Sequence, residues 1–274
     1  MKILIFGKSG QLGSALRELL QRSTHTAQFL DLPEVDLTQS ARIPGYIETC
    51  TPELVINATA YTAVDKAESE SEIATALNAT APRIMAEVCK KNSIPFIHYS
   101  TDYVFDGTAV EPYKENCKRS ACSVYGKTKQ SGEEFIENCT DRFVILRTAW
   151  LYSHVGHNFL KTMLQMANSK KTLKVVDDQI GSPTYAWDLA RVSVMLIEEI
   201  SNGNEQIYGT YHATNSGATS WHGFAKKIFE LAGLDNVDLS PIPTSSYPTA
   251  APRPAYSVLD CSLLEQRLAY KMPH

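Results

Sequence analysis

Short apolar runs alternate with amphipathic stretches along the first half of this chain. Residues 3–6, 54–57, 95–99 and 143–146 are compact, largely apolar runs. Such runs mark strands buried on both faces of a parallel sheet. Residues 27–30 predict another strand. Between the runs the spacing becomes helical: Leu12, Ala15, Leu16, Leu19 and Leu20 share one face of a helix over 12–21. Helical pattern also fills 72–91, with Pro82 near a helix start, and 125–138. This alternation of strand and helix predicts an α/β doubly wound parallel sheet of Rossmann type.

Beyond Arg147 the pattern loosens. Helices are expected at 158–169, 185–200 and 220–232, the last capped by Ser220. Short strands are expected at 173–176 and 208–213. Residues 241–254 are rich in Pro, Ser and Thr, yet Tyr247 and Arg253 within them argue against a disordered linker. There is no internal repeat, low-complexity tract or heptad run.

Composition narrows the function classes. The 274 residues suit one large domain with a smaller companion. Lys plus Arg is 26 against 30 Asp plus Glu, a formal net charge of -4. That balance argues against nucleic acid or an anionic membrane surface as partner. No apolar run approaches the roughly 20 residues of a membrane span. The six cysteines form no Cys-x-x-Cys pair and keep no His cluster, so a zinc site is not expected. The first residues read as strand and turn rather than as a signal peptide. A cytoplasmic protein with reduced thiols is expected.

Gly7-Lys8-Ser9-Gly10-Gln11-Leu12-Gly13 lies between the first strand and the first helix. The first glycine permits a tight turn, the second lets backbone approach a pyrophosphate, and the third lets the helix pack close to the sheet. Free amides at the helix start then face the phosphates. Asp31 follows the second strand. A carboxylate there accepts hydrogen bonds from ribose hydroxyls, which favours NADH over NADPH. Small residues after Asn57, in the run Ala58-Thr59-Ala60, leave room for a cofactor across the sheet.

Tyr125 and Lys129 are one helical turn apart, and Ser100-Thr101 ends a strand 24 residues before the tyrosine. A phenol titrates near 10, and an adjacent ammonium is expected to bring it down. The lysine also suits the nicotinamide ribose. Thr101 would position a substrate carbonyl while Tyr125 protonates the developing alkoxide and hydride arrives from the other side.

Several segments go beyond these generic features. They are Ala63-Val-Asp-Lys-Ala-Glu68, His98-Tyr-Ser-Thr-Asp-Tyr-Val-Phe-Asp-Gly107, Val124-Tyr-Gly-Lys-Thr-Lys129, Arg147-Thr-Ala-Trp-Leu-Tyr152, Asn158-Phe-Leu-Lys-Thr-Met-Leu164, Asp178-Gln-Ile-Gly-Ser-Pro-Thr184 and Arg253-Pro254. With the glycine turn, they make the chain resemble the extended short-chain dehydrogenase/reductase superfamily and, within it, the dTDP-4-dehydrorhamnose reductase family. The resemblance covers nearly the whole chain.

That resemblance implies NAD(P)H-dependent reduction of the 4-keto group of dTDP-4-dehydro-β-L-rhamnose, the last step of dTDP-rhamnose biosynthesis. It implies catalytic roles for Thr101, Tyr125 and Lys129. Cofactor contacts are implied at Gly7, Gly10, Gln11, Leu12, Gly13, Asp31, Asp36, Leu37, Ala58, Thr59, Ala60, Ser100, Tyr103, Tyr125 and Lys129. The dTDP-sugar is expected against Thr101, Tyr125 and Trp150, with Asn158 and Arg253 at its diphosphate. Residues 1–150 and the helix about 184–200 are expected to form the NAD(P)-binding domain. Residues 151–183 and 201–274 would form a smaller, interleaved C-terminal substrate-binding domain.

Two departures from the family stand out. Some members carry a glutamate two residues after the third glycine that helps hold magnesium at a dimer interface. Here that position is Ala15, so a monomer or weak homodimer without structural metal is expected. Members also usually continue past the Lys-Met-Pro segment into a final helix, whereas this chain stops at His274, which leaves the C-terminal packing open. Two other readings stay in view: a reductase of a different 4-keto-6-deoxy sugar nucleotide, and a regulatory subunit resembling the methionine adenosyltransferase β subunit. The intact trio argues against the second.

Overall fold

The computed structural model describes residues 1–169, 171–234 and 236–274. The first half runs β1 (Lys2–Phe6), α1 (Gln11–Leu20), β2 (Thr26–Leu30), α2 (Ile43–Cys50), β3 (Leu54–Asn57), α3 (Val64–Ala67), α4 (Ser71–Thr75), α5 (Ala81–Lys91) and β4 (Phe96–Thr101). It continues through α6 (Val124–Cys139), β5 (Phe143–Thr148), β6 (Leu151–Tyr152), α7 (Phe159–Ser169), β7 (Thr172–Val176), β8 (Ile180–Gly181) and β9 (Thr184–Tyr185). The remainder is α8 (Ala186–Ser201), β10 (Gly209–His212), β11 (Thr219–Ser220), α9 (Trp221–Ala232), β12 (Asp238–Ile242) and α10 (Ser262–Leu268).

Six parallel strands form the main sheet in the order β10-β5-β4-β3-β1-β2. The apolar runs read from the sequence become its buried centre. Ile3, Leu4, Ile5, Leu54, Val55, Ile56 and Ile97 are all fully buried. Burial of each such side chain contributes about 1.5–3 kcal/mol, well above any intrinsic strand preference. One face is covered by α1 and α8, through Leu16, Leu20, Leu189 and Leu196. The other is covered by α2 and α5, through Ile43, Ile47, Met85 and Cys89. The doubly wound α/β expectation therefore holds. The winding reverses between β1 and β3, and ligands of such sheets bind beyond the strand ends at that point.

A second body packs α7 and α9 against the parallel pair β7–β12, around Met163, Leu173, Val175, Ile228 and Phe229. The strand expected near 208–213 is β10, which pairs with β5 in the main sheet. The chain after residue 201 is thus shared between the two bodies. Pro241 and Pro243 do not make a free linker of residues 241–254, because β12 ends there at the edge of a two-stranded pair, where a missing donor is tolerated.

The helical stretch at 72–91 is interrupted. Between α4 and α5 lies a π-helical turn over Ala76–Thr80, and Pro82, in the first turn of α5, follows directly on that wider turn. Asn78 in that turn accepts from the Tyr61 amide at 2.8 Å and donates to Thr128 of α6 at 3.1 Å. Gly132 allows the approach, since a Cβ there would lie 2.2 Å from the Asn78 carbonyl oxygen. The π turn thus fixes the helix that carries Tyr125 and Lys129.

Candidate active site

The glycine turn leaves β1 at the reversal of the sheet. Gly7 has φ +102°, a left-handed conformation that glycine adopts without strain, and a Cβ on it would meet the Ala58 carbonyl at 2.8 Å. A Cβ on Gly13 would lie 1.8 Å from the Gly7 oxygen, so only glycine lets α1 pack there. At Gly10 a Cβ would meet nothing nearer than 3.8 Å, so the backbone is open on that side. Gly10 also caps α1 without a side-chain hydrogen bond. An uncapped helix start beside an open glycine backbone is the cradle a pyrophosphate requires, and the residues present fit a dinucleotide.

Asp31 closes this turn from below. Its Oδ2 accepts from the Ser9 amide at 2.8 Å and the Ser9 hydroxyl at 2.7 Å. Lys8 pairs with Glu34 at 3.3 Å. Asp36 accepts from the Thr38 amide and hydroxyl, and the Leu37 side chain is buried in the core. The Asp36 carboxylate and the Leu37 side chain therefore serve the loop. On the neighbouring strand end, Asn57 Oδ1 accepts from the Thr59 amide at 3.1 Å and the Thr59 hydroxyl at 2.6 Å, which holds the Ala58-Thr59-Ala60 run in place.

Helix α6 begins at Ser123, whose hydroxyl accepts from the Gly126 amide at 3.1 Å. Tyr125, Lys129 and Glu133 follow at one-turn intervals and are all buried. Thr101 and Ser100 end β4 and are buried too. Thr101 Oγ1 donates to Asp102 at 2.9 Å and accepts from the Tyr103 amide at 3.2 Å. The fold thus gathers Thr101, Tyr103, Tyr125 and Lys129, which the chain spreads over 101–129.

The electrostatics differ from expectation. Burial pushes the Tyr125 phenol above its ordinary value, Thr101 opposes the rise, and Asp102 and Tyr103 add to it. The Lys129 side chain bonds elsewhere in this arrangement. Its Nζ faces the Tyr99 carbonyl at 2.5 Å and His98 Nε2 at 3.1 Å. Burial brings Lys129 down to about 8, with Glu133 pulling the other way. An ammonium so enclosed is disfavoured by desolvation before any neighbour is counted.

Trp150 follows β5 with φ 48°. A bulky residue in the left-handed region costs of order 1 kcal/mol or more and has to be held there by its surroundings. Its ring stacks on Trp221 with centroids 3.5 Å apart, and its carbonyl accepts from the Thr184 amide. Phe159 and Phe224 extend the aromatic cluster. Arg253 reaches across from the C-terminal segment to Tyr103 at 3.2 Å and Asp65 at 2.6 Å.

Asn158 has a different place from the one the resemblance implies. It is buried and caps α7 by accepting from the Lys161 amide at 3.1 Å. It donates to Gln11 at 2.9 Å and to the Ser153 carbonyl at 2.8 Å. Its amide is engaged at both ends, so it ties the small body to the glycine turn instead of presenting a free donor. Ala15 is buried on α1. Among the described residues, no group of three or more His, Cys, Asp or Glu side chains is placed to hold a metal ion.

Four participants were not singled out from the sequence: His98, Asp65, Trp221 and the Asn57 side chain. A signal existed for two of them. Asn57 and His98 are polar residues inside strands buried on both faces, and a buried polar side chain requires partners. Asp65 lies within the Ala63–Glu68 segment that helps carry the resemblance, whereas Trp221 carries no comparable local mark.

The Rossmann-like sheet, the glycine turn at its reversal and the Thr101, Tyr125 and Lys129 group define an oxidoreductase of the extended short-chain dehydrogenase/reductase type. More narrowly, residues 1–274 match the family described as RmlD substrate binding domain, and the chain belongs to that family. It is 40% identical to a protein of Aggregatibacter actinomycetemcomitans named dTDP-4-dehydrorhamnose reductase, over 97% of this chain and 92% of that relative. A crystal structure of a dTDP-4-dehydrorhamnose reductase from Clostridium acetobutylicum superimposes with TM-score 0.94 at 39% identity, over 100% of this chain and 95% of that one. Another, from Bacillus anthracis and in complex with NADP, gives 0.92 at 36% identity over 99% and 94%. The family expected from the sequence motifs is thus the family found.

Proposed function

We propose that this chain reduces the 4-keto group of dTDP-4-dehydro-β-L-rhamnose to dTDP-β-L-rhamnose, the last step of dTDP-rhamnose biosynthesis. The observation that carries the reading is the burial of Thr101, at the end of β4, with Tyr125 and Lys129 of α6, on the sheet whose reversal carries the glycine turn, in a chain similar along its whole length to proteins of that name. The nicotinamide cofactor supplies hydride to C4 when bound. Thr101 orients the keto oxygen, and Tyr125 gives it a proton. Lys129 as an ammonium restores that proton and holds a ribose hydroxyl. Arg253 takes the diphosphate, for which its planar fork is suited. Trp150 borders the sugar. The main sheet with α8 holds the cofactor, and the body of α7, α9, β7 and β12 holds the sugar nucleotide.

NADH is the favoured donor, because the Asp31 carboxylate opposes a 2′-phosphate. Ala15 leaves no carboxylate for an interface metal, in keeping with a monomer or weak homodimer. The six cysteines are free, as in a reducing compartment, and a cytoplasmic place is proposed. No helix among the described residues is long and apolar enough to cross a membrane. The test is oxidation of NADH and of NADPH with dTDP-4-keto-6-deoxyglucose and a 3,5-epimerase, with the product identified by NMR. Turnover to dTDP-β-L-rhamnose is expected. Cofactor binding without turnover would overturn the reading in favour of a regulatory subunit.

A further inference from the structure

A buried polar chain runs from the cofactor-side strand end to Lys129. Asn57, His98 and Lys129 are essentially inaccessible to solvent. Its starting point is fixed by backbone: the Thr59 amide has only a proton to offer, and Asn57 faces it at 3.1 Å. That end of Asn57 must be the oxygen. The other end, Nδ2, then donates to His98 Nδ1 at 3.2 Å. A neutral imidazole that accepts at Nδ1 carries its proton on Nε2. That N–H points at Lys129 Nζ, 3.1 Å away. An ammonium has three donors and no lone pair, so it has nothing to offer this N–H, whereas a neutral amine accepts it and donates to the Tyr99 carbonyl.

We propose that Asn57 and His98 are positioning residues for Lys129, which dock its side chain as a neutral amine and release it on protonation toward Tyr125. Gaining a proton from solvent adds one positive charge to Nζ and removes its only acceptor site. The His98 contact then becomes donor against donor, and the side chain swings free. The inference rests on the reading of Lys129 as part of the reducing site. It gives that lysine two positions coupled to its two charge states.

The surrounding groups agree. From its own helix, Lys129 is faced by Tyr125 one turn before and by Glu133 one turn after. Glu133 favours the ammonium, and Arg147 and Arg119, each 2.8 Å from its carboxylate, oppose that pull. From β4 comes His98, which burial alone is enough to hold below its ordinary value, so it stays neutral beside an uncharged amine. From β3 comes only the uncharged Asn57. Asn57 does not pass protons along, so the chain fixes a tautomer and is not a proton wire.

Nitrogen-15 NMR of histidine-labelled and lysine-labelled enzyme tests this directly, with His98→Gln used to assign the His98 ring. In the unliganded enzyme at about pH 9, His98 is expected protonated on Nε2 and bare on Nδ1, with an amine signal for Lys129. Addition of NADH should convert that signal to an ammonium. The opposite tautomer, or an ammonium throughout, overturns the inference while leaving the reductase activity intact; absence of turnover with the expected tautomer overturns the activity instead. Asn57→Asp provides an independent arm. Its carboxylate accepts from Thr59 and from His98 Nδ1–H, which bares Nε2 to receive an ammonium. The basic limb of the kcat/KM profile should rise by about one pH unit or more. An unshifted limb in a variant that still binds NADH contradicts the proposal.

Discussion

The Arg253 guanidinium donates to the Tyr103 hydroxyl at 3.2 Å, across 150 positions of chain. The Tyr103 ring in turn meets the Tyr125 ring edge-on, with centroids 5.5 Å apart. Arg253 also pairs with Asp65. The C-terminal segment, the loop after β4 and the helix bearing the phenol are thus joined through one cation.

Arg253→Lys keeps the charge but loses the planar fork. The KM for the sugar nucleotide should rise roughly tenfold, equivalent to about 1.4 kcal/mol. Affinity for NADH, measured by fluorescence titration, should stay close to that of the parent. A parallel loss of cofactor affinity would show that Arg253 acts by holding the fold.

Tyr125→Phe removes the proton donor and little else from a buried site. A loss of roughly 10²–10⁴-fold in kcat is expected from stopped-flow or steady-state NADH oxidation. Cofactor binding should persist. Near-parental turnover would refute the role given to the phenol.

Asp31→Asn removes the charge that opposes a 2′-phosphate and preserves an acceptor for Ser9. The ratio of kcat/KM for NADPH over NADH should rise on the order of tenfold, the effect of about one charge contact. An unchanged ratio would assign cofactor choice to other residues.

Glu133 and Arg147 form an ion pair inside the core, with both side chains almost wholly enclosed. Burial pushes the Glu133 carboxyl up, but the hydrogen bonds and charge of Arg147 and Arg119 outweigh it, and the group ends below its ordinary 4.5. A depressed folded value contributes stability above the unfolded value, which is lost as pH falls through the folded one. Glu133→Gln should destabilise by about 3 kcal/mol near neutral pH, because it leaves Arg147 buried and unpaired. In urea titrations the gap between parent and variant should narrow below about pH 4.5 as the parent carboxylate is protonated. A constant gap would mean the pair is not the source.

The main sheet was legible because its central strands are buried on both faces. Residues 3–6 of β1 are then apolar at every position, and that pattern is local. The glycine turn was legible for a related reason, since Gly7 and Gly13 answer to steric limits within a few residues. By contrast, α2 was not anticipated, because Pro44 and Gly45 in its first turn read as breakers. Strand β12 contains Pro241 and exists only through its pairing with β7. Helix α10 is a single short stretch, and its one fully packed residue, Leu264, buries itself against the main core.

By itself the sequence determined the fold class, the cofactor turn, the family and the residue types of the reducing group, since each is written in local pattern or motif. Only the tertiary structure decided where those groups point. Lys129 turned out to face His98 and the Tyr99 carbonyl, and Asn158 to cap α7 and hold Gln11. Burial raised the phenol that the neighbouring lysine was expected to lower. Hydrogen bonds and desolvation depend on which segments meet in space, and the order of residues along one helix does not contain that.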